Sequence, residues 1–414
     1  MPGGSDAPRF HAAAIALGLA RAADAVANSF LVIVLPLFIA SEKVGGASLG
    51  LSDPALTGII LAVFGFFNAF AQPFAGRLSD RLGRRRVFVL GGLLVLAAFN
   101  SLYMFAGSYL SLFLIRIGQG LSVAFTAVAS VALVNELSTR SNRGGNMGIY
   151  NSLRLIGFGV GPLVAGFVVS GGPYQILGAS LSGFDAAFVV AAAGALVGAG
   201  LVALLVRDTE HLVAAGVRVR IAVRSREPGH VLDPIFALGV ATLIMALCIA
   251  MIGSIETAVN ERLDQDARWF GVQFGAFILS LAAAQPLIGT LSDRWGRKGF
   301  ILAGSLFLIP TTLAQGLVVT SLGMLFARLA QGLAGAMVFS PALALAGDLA
   351  RKGQSGLQLS VLTMAFGIGL SLGQLMAGFL VALGYTVPFA TGAALAVIAT
   401  LLVRTEVQEP PPEG

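Results

Sequence analysis

Charge is scarce in this sequence. Only 11% of its 414 residues are Asp, Glu, Lys or Arg while 57% are apolar, where a soluble domain carries about 25% charged residues. A soluble chain of this length would lack the polar surface to cover itself. It is therefore placed in a lipid bilayer, where long helices satisfy their own backbone groups. The apolar runs are too long and continuous for the alternating strands of an outer-membrane barrel. Cysteine is almost missing. Cys248, inside an apolar run, is the single one, which excludes an intrachain disulfide and leaves redox chemistry and a cysteine metal site without support. Also absent are a His/Glu metal-ligand cluster, a nucleophile elbow and the Gly-x-x-x-x-Gly-Lys-Ser/Thr loop of nucleotide-driven pumps. No metal, no cofactor and no enzymatic activity are expected. The net charge of +6 does not point to nucleic acid, because the basic residues are spread over the loops between apolar segments.

What is present is a basic turn. Gly76-Arg77-Leu78-Ser79-Asp80-Arg81-Leu82-Gly83-Arg84-Arg85-Arg86 stands between two long apolar runs. About 213 positions later Gly289-Thr290-Leu291-Ser292-Asp293-Arg294-Trp295-Gly296-Arg297-Lys298 repeats its order of glycine, acid and base, with Gln-Pro ahead of both copies. At about 20 residues per span, helices fall near 12 to 40, 55 to 75, 86 to 106, 108 to 135, 145 to 170 and 185 to 206. Six more fall near 232 to 257, 269 to 289, 299 to 318, 321 to 348, 356 to 382 and 386 to 404. The expected architecture is an all-α membrane protein of twelve transmembrane helices in two pseudo-symmetric six-helix bundles. Residues 1–206 form the first bundle, 207–231 a linker and 232–414 the second bundle. Lys and Arg gather on alternate loops, which places both termini in the cytoplasm of a multi-pass protein of the inner or plasma membrane.

A charge at mid-bilayer costs roughly 2.5 to 3.5 kcal/mol even on a lenient scale, so an ionisable residue within a span needs a reason. Those residues are Arg21, Asp24, Arg116, Arg154, Arg328 and, near a helix end, Glu256. Arg21, Asp24 and Asn28 share one helix face through their spacing. Two readings of Asp24 stay open: a carboxyl that takes up and releases a proton, with Glu256 next in line, or a static partner of Arg21. Arg116 with Gln119 and Gly120 recurs as Arg328 with Gln331 and Gly332. The glycines are explained by close packing, the arginines are not. The fifth helix carries Gly157, Gly161, Pro162 and Gly166, a face of small residues with a proline expected to bend it. A packing face without a transport role is the other reading.

These residues resemble the major facilitator superfamily over nearly the whole chain. Its pattern after the second helix is matched at Gly76, Leu78, Asp80, Arg81, Gly83, Arg84 and Arg85, and the second copy at Asp293, Arg294, Gly296 and Arg297 is similar. Arg116 with Gln119 is similar to the family's helix-four motif, whose arginine is associated with proton coupling or substrate binding. The helix-five residues resemble the motif of proton-coupled drug antiporters, with Ala165 where a glycine is usual. The resemblance implies proton-coupled efflux of amphipathic or drug-like small molecules by alternating access. The alternative is a proton-coupled or facilitated importer of a small metabolite such as a sugar or organic acid. It also implies a proton gradient as energy source, function as a monomer, and a cavity where Asp24 and Arg116 work together with Arg21 as the competing partner.

Overall fold

The computed structural model describes residues 7–41, 43–138, 143–176, 178–207, 223–225, 231–349 and 355–409; the side chains of 7–14, 80, 143–145, 176, 179 and 355–360 lie outside that description. Thirteen α-helices carry it. They are α1 (Ala7–Ile39), α2 (Asp53–Leu82), α3 (Arg85–Leu102), α4 (Tyr109–Glu136), α5 (Arg143–Gly171), α6 (Gly183–Leu205) and α7 (Pro234–Ser254). There follow α8 (Glu256–Arg262), α9 (Ala267–Trp295), α10 (Arg297–Leu317), α11 (Ser321–Asp348), α12 (Ser355–Leu380) and α13 (Val387–Glu406). Twelve of them, all but α8, are long and apolar enough to cross a membrane. Short polar residues set several starts. Ser108, Ser182, Asp233 and Thr320 each accept a hydrogen bond from a backbone N–H in the first turn of the following helix.

Two local features depart from the twelve expected helices. The seventh expected span, 232 to 257, ends early. Ile255 leaves the helical region (φ −116°, ψ 24°), and the chain restarts as the short α8. Between α5 and α6 the chain forms an antiparallel hairpin of β1 (Tyr174–Ile176) and β2 (Ala179–Leu181), where only a loop was expected.

The chain forms two compact units. One comprises Met1–Leu49, Phe66–Ala215 and Asp266–Gly275, the other Gly50–Gly65, Gly216–Gln265 and Ala276–Gly414. In the first, α1 packs on α5 and α6, and α3 on α4 and α6. The second repeats this plan, with α7 on α12 and α13, and α10 on α11 and α13. Small residues let helices approach closely in a bilayer, where hydrophobic burial supplies little drive. Ala16, Ala20, Ala129 and Ala199 accordingly line the core of the first unit beside Leu17, Leu93 and Leu133. Large apolar side chains point outward instead, Phe74 at 68% and Leu204 at 84% exposure. An apolar surface of this kind suits contact with lipid tails.

Candidate functional site

The helix-five glycines bring α5 onto the backbone of α1. A Cβ at Gly157 would stand 2.3 Å from the Ala22 carbonyl oxygen, and one at Gly161 would stand 2.1 Å from Ser29 Oγ and 2.6 Å from the Val26 oxygen. Ala22 and Val26 stand two residues either side of Asp24. The closest approach of the two helices therefore brackets the acid. Asp24 is 1% exposed and Arg21 7%, and Arg21 Nη1 donates to Asp24 Oδ2 across one helical turn. The other carboxylate oxygen, Oδ1, has no hydrogen-bond partner among the described residues.

From α5, Tyr150 is buried and comes close enough to Arg21 to act on its charge. Arg154 acts on both Arg21 and Asp24 and lies 5.8 Å from the Phe158 ring centroid. The seam thus gathers two guanidinium groups, one carboxyl and one phenol. Asn28 is half-buried one turn beyond Asp24 and stays outside the bonded set. Sequence reasoning named Arg154 without a role and passed over Tyr150. Both lie on the α5 face of Gly157 and Gly161, a relation already present in their i, i+3 and i+4 spacing.

Arg116 belongs to a different set. Its Nη1 donates to Gln119 Oε1 at 3.2 Å, Gln119 Nε2 donates to Asn100 Oδ1 at 2.6 Å, and the Tyr103 hydroxyl donates to Gln119 Oε1 at 2.9 Å. Asp24 bonds to Arg21 and does not reach Arg116. In the second unit Arg328 Nη1 donates to Gln331 Oε1 at 2.5 Å, Gln331 Nε2 to the Cys248 carbonyl at 3.1 Å, and the Arg328 guanidinium lies 4.3 Å from the Phe277 centroid. One constant interval relates Asn100 to Thr312, Arg116 to Arg328 and Gln119 to Gln331.

The same interval relates Gly157 to Gly369 and Gly161 to Gly373, and these two would place a Cβ 2.2 Å from the Leu243 and Leu247 carbonyls of α7. The seam is duplicated, but its charge is not. Matched through these glycine contacts, Thr242 stands for Arg21 and Met245 for Asp24 at a wider interval, and Leu362 for Tyr150 and Phe366 for Arg154 at the constant one. Only the first unit carries the ionic group on its seam.

At one end of each unit lie the basic turns. Gly83 (φ +62°) and Gly296 (φ +97°) adopt the left-handed conformation that the tight connection requires. Arg85 is buried; its Nε donates to Glu136 Oε1 at 2.5 Å and its Nη1 to Ser79 Oγ at 3.1 Å. In the second copy Arg297 Nη2 donates to Asp293 Oδ1 at 2.9 Å, and Nη1 donates to Asp348. Glu136 and Asp348, again at the constant interval, were missed by motif reading because each closes a helix outside the motif. Arg81, Arg84 and Arg294 are exposed. Gly76 would place a Cβ 3.4 Å from Val128 of α4. Asp80 lies in the last turn of α2, and its side chain lies outside the described residues.

Helix α5 runs through Pro162 without interruption. The Pro162 carbonyl receives Gly271, whose Cβ would stand 2.5 Å away, and Gly166 sits on the Ala267 carbonyl at the same distance. Glu256 opens α8 with no exposed surface, and neither carboxyl oxygen has a hydrogen-bond partner among the described residues. Burial pushes its carboxyl well above the ordinary 4.5, opposed by the Asn260 side chain.

Comparison with known proteins agrees with this architecture. Residues 17–220 and 238–414 match the family model described as Major Facilitator Superfamily. The chain is 30% identical to multidrug resistance protein 2 of Bacillus subtilis over 34% of its own length and 33% of the relative's. It is 25% identical to the class B tetracycline resistance protein of Escherichia coli over 72% of each. The matched stretches span less than two thirds of the first relatives' own length. Among solved structures, a bacterial homologue of the human lysosomal transporter Spinster, inward-facing and occupied, superposes with a TM-score of 0.79 at 15% identity, covering 99% of this chain and 100% of that one.

Proposed function

Because the chain belongs to the major facilitator superfamily, whose members move small molecules across membranes, we propose that it is a secondary active transporter that exports amphipathic or drug-like compounds in exchange for protons. The observation that carries this reading is the Arg21–Asp24 pair, buried on the α1/α5 seam between the two helix-five glycines. A duplicated seam works without charge in the second unit, so close packing alone does not call for the ionic group in the first. A charge kept at that depth against its desolvation cost is a functional group by default.

Protonation supplies the role. A proton on Asp24 removes the only negative charge in the group, so Arg21 loses its partner while Arg154 remains nearby. The fit of α1 against α5 therefore differs between the two protonation states, which gives the proton gradient a lever on conformation. The Gly-Pro stretch of α5 and the names of the Bacillus and Escherichia relatives favour export. We place both termini in the cytoplasm, take the proton gradient as energy source without a cofactor, and take the two six-helix bundles, 1–206 and 232–414, as the moving parts of alternating access. The chain functions as a monomer in the plasma membrane on this reading.

The test is transport by the purified chain in proteoliposomes with an imposed pH gradient and a panel of cationic, neutral and anionic compounds. Exchange predicts that at least one compound accumulates on the acidic side. Flux that ignores the gradient, or that follows the proton, contradicts it.

A further inference from the structure

Two acids that follow one another at the end of α13 tie three parts of the second unit together. At Val407 the chain leaves the helix in an extended conformation (φ −97°, ψ 126°), and the Val407 side chain, with no exposed surface, fixes the exit. A carboxylate stands on each side of it. Glu406 Oε2 accepts from the N–H groups of Val231 and Leu232, each at 2.8 Å. Glu409 Oε1 accepts from the N–H of Arg297 and, at 3.0 Å, from that of Lys298, the first two residues of α10. Lys298 Nζ in turn donates to the Arg404 carbonyl at 3.1 Å. Residues 404–409 thus join the end of α13 to the second basic turn and to the approach to α7.

Both anchor points suit this contact. Gly296, the N-cap of α10, has no side chain to satisfy the first N–H groups of the helix, and a Cβ there would stand 2.9 Å from Glu409 Oε2. The tail supplies the missing acceptor. Val231 and Leu232 lie in a short antiparallel pairing, where the Ser225 N–H donates to the Val231 carbonyl at 3.2 Å and the Asp233 N–H to the Val223 carbonyl at 3.0 Å. Glu406 therefore grips the linker just before Asp233 caps α7.

The first unit provides a comparison. Arg86, which matches Lys298 at the constant interval, also donates to a carbonyl near a helix end, that of Ala203 in α6 at 2.5 Å. Val206 follows α6 as Val407 follows α13, extended and buried, and in that register Leu205 takes the place of Glu406. Packing of such a helix end does not call for the acid. Glu409 is exposed and Glu406 half-buried, so water can replace each bond and each alone is weak. Carried on one short segment, they close and open together.

We propose that residues 404–409 form a strap that restrains the second unit: closed, it holds the starts of α7 and α10 against the end of α13, and every transport cycle has to open it. The strap slows turnover, and its release speeds it. This goes beyond the exporter reading and applies to transport in either direction.

The experiment uses the full-length chain. Hydrogen exchange in detergent follows the peptides that contain Val231 with Leu232 and Arg297 with Lys298. In Glu409→Ala both peptides exchange faster, by roughly two- to fivefold, the effect of losing an anion at a helix N-terminus, and Glu406→Ala accelerates both as well. Exchange that rises only beside the substituted carboxylate shows two separate contacts and overturns the strap. Flux of ethidium in proteoliposomes, measured in both directions, has a higher maximal rate in each variant at an unchanged half-saturating concentration, and Glu409→Asp lies closer to wild type than Glu409→Ala. A purely structural contact would lower the Tm and leave the maximal rate unchanged or reduced, which also overturns the proposal. Where an alanine variant does not fold, Glu→Gln at the same position, which keeps the shape and removes the charge, takes its place with the same expected directions. The exporter reading is judged separately. Ethidium that follows the proton contradicts export and leaves the strap standing if release still raises the rate, and if wild type moves no ethidium, the joint acceleration of the two peptides decides the strap by itself.

Discussion

Single residues differ in how much their ion pairs contribute, and burial decides the order. The Arg85–Glu136 side chains are 9% and 20% exposed, those of Arg297–Asp348 21% and 44%. Glu136→Gln is expected to cost about 1.5–3 kcal/mol, the range for a hydrogen bond to a charged group. Asp348→Asn should cost about 0–1 kcal/mol, as solvent screens an exposed pair. Thermal unfolding of the two variants in one detergent checks the order, and equal losses would contradict it. Glu256 makes a pH prediction. Its folded-state pKa is raised, so above the ordinary glutamate value the folded chain holds a proton that the unfolded chain has released, and stability falls as pH rises through that window. Glu256→Gln cannot ionise. Its Tm should match wild type most closely in acid and exceed it by a growing margin toward neutral pH, whereas a constant offset would mean that Glu256 does not titrate on unfolding. The face shared by Arg21 and Asp24 was legible from their spacing alone. Tyr150 was not, because a tyrosine in a membrane helix is unremarkable until its neighbour across the seam is known.

Helices meet where side chains allow, and α5 offers a controlled comparison. At Gly157 a Cβ would collide with the Ala22 backbone at 2.3 Å, while at Gly148 of the same helix nothing lies within 4 Å. Gly157→Ala should force α1 and α5 apart at a cost of about 1–3 kcal/mol, as overpacking does. Gly148→Ala should be neutral or stabilise by about 0.4–1 kcal/mol. Unfolding in detergent separates them, and equal stability of the two variants would mean that the α1/α5 contact is slack. Gly161→Leu is the sharper functional test, and normal proton stoichiometry in a folded variant would remove the seam from the mechanism. Twelve spans were legible because lipid imposes length and apolarity on each. The break at Ile255 was not, since an isoleucine with no proline or glycine beside it gives no local signal for a helix end.

At the scale of the molecule, the repeat of the basic turn revealed two related halves, and the interval that relates Arg116 to Arg328 also relates Glu136 to Asp348 and Gly157 to Gly369. Matching the two seams through their glycine contacts, Gly157 on Ala22 and Gly369 on Leu243, shows where the halves part company. Thr242, Met245, Leu362 and Phe366 occupy the places of Arg21, Asp24, Tyr150 and Arg154, which singles out the first-unit seam as the charged one. That contrast needed the register of α1 against α5 and of α7 against α12, which no motif states. Proton coupling at Asp24 is tested most directly with Asp24→Asn in proteoliposomes whose lumen is acidic, using a compound that the wild type accumulates there. The variant is expected to bring the compound to equal concentration on both sides and no further. Accumulation by Asp24→Asn to the wild-type level would show that the proton is carried elsewhere.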